Sequence, residues 1–258
     1  IGFRDQLQDC VCLMYYNPDV VRRHILNSAE HQFIEGDVLH WWHEPNRGVR
    51  TRITDDLLFL PFVTAIYVRD TGDKSILSEE VRYLDGEELP EGVKDCYRTY
   101  NQGDISESLY MHCLRAMDRA YKLGEHGLPL IGTGDWNDAM DNVGSEGKGE
   151  SVWLAFFQVA VIDIFCEHCM DDKDKINILK ERAEELRNAV EAHAWDGEWY
   201  MRAFCDDGMP IGSVKSEECR IDMLSQAWSA LSETGSYDRR RRALDSVNSN
   251  LIDYQWGI

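Results

Sequence analysis

The sequence predicts an all-α chain, a barrel or solenoid of helical hairpins. Apolar residues recur at three- and four-residue steps along most of its length. Strand-type alternation is confined to short pieces around residues 199–205, and polar and aromatic residues gather between the helical patterns. In chain order, helices are expected near residues 4–14 and 18–31. A third, near 54–69, takes Thr54 or Asp55 as its cap. Leu84 to Gly103, frequent in acidic and glycine residues, reads as a long surface loop. Leu109, Cys113, Met117 and Ala120 then share one helix face, after a start marked by Asp104 and Ser106. Val152 to Cys166, interrupted only by Gln158 and Asp163, reads as a helix buried on most sides within 150–169 and too short to span a bilayer. Ile176, Leu179, Ala183, Leu186 and Val190 line one face of the next helix. The last two lie near 220–232 and 239–253, and Arg239 to Arg242 form a solvated face at the start of the final one.

Composition narrows the function. A chain of 258 residues with 43% hydrophobic content can bury a sizeable core, as one large domain or part of one. A formal net charge of -20 would repel a nucleic-acid backbone and suits a neutral ligand such as a sugar. Eight cysteines are scattered through a chain too large to need staples, and Cys166-Glu167-His168-Cys169 has no second pair at zinc-site spacing. Reduced thiols and a cytoplasmic setting are the expectation. No signal-peptide pattern is visible at the start. The opening on Ile1-Gly2-Phe3 and the stop at Trp256-Gly257-Ile258 read as cuts through a larger protein.

The densest chemistry lies in Gly132-Thr133-Gly134-Asp135-Trp136-Asn137-Asp138. Its glycines let the backbone turn sharply and approach a ligand closely. The indole offers an apolar face to a pyranose ring, the amide and one carboxylate can bind hydroxyls, and one carboxyl can carry a proton. Two carboxylates so close repel one another, which favours a proton on one of them. The alternative is a plain surface loop, or a helix cap supplied by Asp135 or Asn137. An EF-hand reading fails, because counting from Asp135 the fifth and sixth positions are Ala139 and Met140. His31-Gln32-Phe33-Ile34-Glu35-Gly36-Asp37 leads into His40-Trp41-Trp42-His43, with two exposed-looking indoles and no third ligand for a zinc site. No metal is expected. In the run from Arg47 to Asp56, the arginines are expected to pair with Asp55 and Asp56 as scaffolding.

These motifs together resemble glycoside hydrolase family 94. The resemblance is carried by Gly2-Phe3-Arg4-Asp5-Gln6-Leu7-Gln8-Asp9, Glu35-Gly36-Asp37 with His40-Trp41-Trp42-His43, and Arg47-Gly48-Val49-Arg50-Thr51-Arg52. His126-Gly127-Leu128-Pro129-Leu130 running into Gly134 to Asp138, Gly149 to Trp153, and Glu218 to Asp222 with Gln226 and Trp228 extend it from end to end. It implies an (α/α)6 barrel of hairpins, of which residues 1–258 are the central part of one catalytic domain, truncated at both ends. It also implies an inverting glycoside phosphorylase, which cleaves a β-linked glucosyl saccharide with inorganic phosphate to give α-glucose 1-phosphate. Phosphate is then a co-substrate and no cofactor is needed. Because phosphate is already anionic, no general base is required and one carboxylic acid suffices. The wording of the His-Trp-Trp-His and Arg-Gly-Val-Arg-Thr-Arg runs looks closer to the phosphorylase-like domains of cyclic β-1,2-glucan synthases.

By position in the motifs, Asp138 resembles the general acid and Trp136 the residue lining the glycone subsite. Arg4 and Asp5 resemble the pair that binds hydroxyls of that sugar, and Asp135 orients the loop or favours a proton on Asp138. The partners implied are a β-glucoside or oligosaccharide and phosphate, with a homodimer as one assembly of the full-length protein. Two competing readings are an ordinary inverting hydrolase, which needs a second carboxylate, and an inactive carbohydrate-binding barrel. The match departs at Ala139, where the family has glycine; at positive φ an alanine carries strain of roughly 1–2 kcal/mol. Asp141-Asn142 replaces the more usual Asn-Arg. The family's phosphate-binding histidine and Thr-Gly pair fall beyond residue 258, and its phosphate arginine before residue 1.

Overall fold

The computed structural model describes residues 2–253 and 255; Ile1 and Trp256-Gly257-Ile258, at which the sequence reads as cut, lie outside the described residues. Among the described residues eight α-helices order the chain: α1 (Phe3–Cys10), α2 (Pro18–Ala29), α3 (Asp56–Thr71), α4 (Leu109–Ala120), α5 (Val152–His168), α6 (Lys173–Ala189), α7 (Met223–Leu231) and α8 (Tyr237–Asn250). Each consecutive pair packs together: α1 on α2, α3 on α4, α5 on α6, and α7 on α8. The odd-numbered helices also touch in series, α1 to α3 to α5 to α7. Hence α3 and α5 lie between neighbours on several sides and bury nearly every face, including Phe59, Val63, Trp153, Phe156 and Phe157. The flanking helices are amphipathic. α6 buries only Leu179, Ala183 and Leu186, and α8 only Ala243 and Val247, a stripe at three- and four-residue spacing.

The expectation of an all-α chain, and with it of an (α/α)6 barrel made of helices alone, is overturned. Among the described residues three antiparallel sheets are present, with 18% strand against 48% helix. The first sheet has the order β1 (Leu39–His43), β2 (Arg47–Thr51), β4 (Asp95–Thr99). The second pairs β3 (Glu80–Asp85) with β5 (Asn101–Ser108). The third is formed by β6 (Glu150–Ser151), β7 (Ala203–Phe204) and β8 (Pro210–Ile211). The stretch from Leu84 to Gly103, read as a surface loop, therefore contains the end of β3, all of β4 and the start of β5. β4 and β5 are solvent-exposed along most of their length, so no apolar alternation marks them. Asp104 and Ser106 belong to β5 rather than to a helix start, and Ser108 caps α4 by accepting from the Met111 amide.

The helix ends explain where a site can form. Arg4 lies in the first turn of α1, Asp55 precedes α3, Ser151 caps α5 and Asp222 caps α7. The N-termini of α3, α5 and α7 thus present carboxylates and a hydroxyl, which the unpaired amides and positive dipole end favour, and that of α1 presents the cation Arg4.

Candidate active site

Arg4 is the hub. Only 4% exposed, it donates from Nη1 to both oxygens of Asp55 at 3.0 Å and to the Asp135 carbonyl at 2.9 Å. Its Nη2 donates to Oδ1 of Asp138. One guanidinium therefore ties the start of α1, the start of α3 and the glycine-rich turn into a single constellation. Asp56 extends it, with Oδ1 at 3.7 Å from Arg4 and Oδ2 at 2.7 Å from His40 Nδ1. The other face of that imidazole points at Asp138, Nε2 to Oδ2 being 3.8 Å. Burial lowers the His40 pKa, but the hydrogen bond to Asp56 and the charges of Asp56 and Asp138 outweigh it, and the net shift is upward. Burial, then the neighbouring Asp56 charge, push the Asp55 carboxyl well above the usual carboxylate range against the pull of Arg4.

The two carboxylates of the turn have different surroundings. Asp135 is fully buried and takes a forked pair of hydrogen bonds from Arg202, at 2.7 Å and 2.5 Å, and one from Ser151 Oγ at 2.7 Å. It also accepts from the Asn137 amide at 3.2 Å, which fixes the turn. Asp138 instead keeps 60% of its side chain exposed. Trp136, 45% exposed, presents its ring to solvent while its indole N–H donates to Gln8 Oε1 at 3.3 Å. Asp5, next to Arg4 in the first turn of α1, is exposed, with its carboxylate folded over Gly2. The structure thus brings Arg4, Asp135, Trp136 and Asp138 together, with Asp5 exposed beside Arg4.

Gly132 lets the turn approach the strand before α3. It has φ +66° and pairs with Ile53, and a Cβ there would collide with the Arg52 carbonyl. Ala139 lies within a single 3-10 turn, Asp138–Met140, and is absent from the positive-φ residues among those described. The strain foreseen for it does not arise. A cavity of about 420 Å³ opens beside this turn, lined in part by Asn137, Ala139, Arg202 and Asp222.

Several partners escaped the sequence reading. Asp55 and Asp56 pair with Arg4 and His40, not with the arginines of the run from Arg47. Arg50 instead grips Asp37 and Glu35. Asp55 precedes α3 without a side-chain capping bond, its carboxylate being held by Arg4. His40 to His43 form strand β1; Trp42 is buried and stacks on His31 at 3.9 Å. Arg202 carried no signal beyond being a charge in a short strand-like stretch. All eight cysteines are unpaired, and no group of three or more metal-ligating side chains is placed to hold an ion among the described residues. Among those residues no helix is long and apolar enough to cross a membrane.

A buried arginine thus holds one exposed carboxylate beside a surface indole. The chain belongs to the glycosyl hydrolase 94 superfamily, whose catalytic-domain pattern matches residues 1–258. It is 43% identical over 256 residues to cyclic beta-(1,2)-glucan synthase NdvB of Rhizobium meliloti (strain 1021), covering 98% of this chain and 9% of that protein. It is 31% identical to solabiose phosphorylase of Paenibacillus borealis, covering 99% of this chain and 31% of that enzyme. Cellobionic acid phosphorylase of Neurospora crassa is 30% identical, with 96% and 30% covered. The chain therefore spans a third or less of the length of these curated relatives. A rhamnosidase from Klebsiella oxytoca solved with rhamnose bound shares the fold, with a TM-score of 0.63 at 13% identity over 97% of this chain and 42% of that one. The chain is thus a phosphorylase-like catalytic domain.

Proposed function

We propose that this domain, within its full-length protein, is the proton-donating half of an inverting glycoside phosphorylase. The substrate is a β-linked glucosyl saccharide, the co-substrate inorganic phosphate, and no further cofactor takes part. The observation that carries the reading is the exposed Asp138 held by the buried Arg4 beside the outward-facing Trp136. Trp136 stacks on the glycone, and Arg4 fixes the carboxyl that meets the glycosidic oxygen. In the reaction the C1–O bond to the leaving sugar breaks as a phosphate oxygen bonds C1 from the opposite face. Asp138 gives its proton to the departing oxygen, and the product is α-glucose 1-phosphate. Asp135 and Arg202 keep the turn in place from beneath. The cavity beside Asn137 and Ala139 has room for the leaving sugar.

The greater identity to NdvB than to the phosphorylases favours a β-1,2 linkage, and with it a phosphorylase-like domain inside a cyclic β-1,2-glucan synthase. Incubating the full-length protein with β-1,2-linked glucooligosaccharides tests both. Release of α-glucose 1-phosphate that depends on added orthophosphate is the expected result. Free glucose formed at an unchanged rate without phosphate would make the protein a hydrolase.

A further inference from the structure

Behind the turn that carries Asp138 lies a second cavity, of about 220 Å³. Leu57, Leu89 and Leu130 give it an apolar wall, and Arg52, Arg119 and Lys122 line it as well. Three cations converging on one small space are unexpected in a chain of formal net charge -20, because like charges brought together repel. Protein carboxylates offset only part of this. Arg52 donates to backbone carbonyls alone, from Nε to Val93 at 2.8 Å and from Nη2 to Leu89 and Pro90 at 2.9 Å and 2.7 Å. Those bonds hold the guanidinium still without neutralising it. Arg119 pairs with Glu88, and Lys122 makes no ion pair among the described residues. Asp37, the carboxylate lining the cavity, is already gripped by Arg50 at 2.6 Å and 2.7 Å. Although Lys122 stays open to solvent, the loss of part of its hydration, then the charges of Arg119 and Arg52, hold its ammonium below its ordinary pKa against the opposing charges of Glu88 and Asp37, so these groups act on one another across the space.

We propose that this cavity binds a sugar monophosphate, its phosphate set among Lys122, Arg119 and Arg52 and its sugar against the leucines. Arginine forks and an ammonium supply the charge-assisted hydrogen bonds that a phosphate takes, and the apolar wall matches the C–H face of a pyranose. Pockets for drug-sized ligands run to about 300–1,000 Å³, so this smaller one suits a single sugar unit and not a glucan chain. The site is separate from Asp138 and does not depend on the reaction proposed there.

Lysine acylation of the full-length protein, read by mass spectrometry, tests it. The probes are glucose 1-phosphate, glucose 6-phosphate, inorganic phosphate and glucose. The sugar phosphates are expected to slow labelling of Lys122 about tenfold relative to the exposed Lys173, with inorganic phosphate weaker and glucose without effect. Arg119→Gln should weaken that shielding and Asp138→Asn should preserve it. Equal labelling of Lys122 with and without every anion overturns the proposal. Equal shielding by inorganic phosphate and the sugar phosphates overturns its sugar half. Shielding lost in Asp138→Asn would place the bound ligand in the reaction site instead.

Discussion

Asp135 and Asp138 stand three residues apart, yet one is sealed beneath the turn and the other faces solvent. Their chemistry should divide accordingly. Asp138→Asn in the full-length protein is expected to lower turnover roughly 10²–10⁴-fold, the usual effect of losing a positioned acid, while glycone affinity changes far less. Near-normal turnover in Asp138→Asn, with loss in a stable Asp135→Asn, would exchange their roles. Arg202→Met leaves the Asp135 carboxylate buried without its partner, which typically costs about 3–5 kcal/mol. Combining it with Asp135→Asn should recover much of that loss, and additive losses in thermal denaturation would contradict the coupling. Of these residues, Asp138, Trp136 and Arg4 could be picked out in the sequence by motif. The pairings of Arg202 with Asp135 and of Asp55 with Arg4 could not, since 67 and 51 residues separate the partners.

At the scale of elements, α4 and β3 meet through His112, which is fully buried and stacks on Tyr83 with ring centroids 3.9 Å apart. Its Nε2 lies 3.1 Å from the Val81 carbonyl, while Nδ1 has no hydrogen-bond partner. Burial pushes the His112 pKa down to about 4. The folded chain therefore keeps this imidazole neutral where the unfolded chain protonates it. Stability should fall as pH drops from about 6.5 to about 4, by at most about 3 kcal/mol from this group. His112→Gln keeps a donor for Val81 and cannot titrate, so its urea midpoint should vary less over that window. An identical pH profile for both proteins would remove His112 from the account. The helices themselves were legible because α4 and α6 each bury one regularly spaced stripe. The strands β4 and β5 were not, because with both faces largely wet their order comes from backbone pairing to β2 and β3.

Over the whole molecule, a formal net charge of -20 acts against compactness. Raising salt from about 0.1 M to about 1 M shortens the screening length from about 10 Å to about 3 Å. That should stabilise the chain by about 1 kcal/mol, or about 2–4 °C in melting temperature for a domain of this size. A fall in melting temperature over the same range would mean that ion pairs such as those of Arg4 outweigh the general repulsion. The order of hydrophobic spacings along the chain determined the helices and the buried character of α5, because each is a property of neighbouring residues. Motif wording alone determined the family, which the match over residues 1–258 establishes. The tertiary structure decided which carboxylate is buried and that three cations share one cavity. Those outcomes depend on which helix N-termini are packed together, and side-chain charges exclude or attract one another only once folding has placed them within a few ångströms.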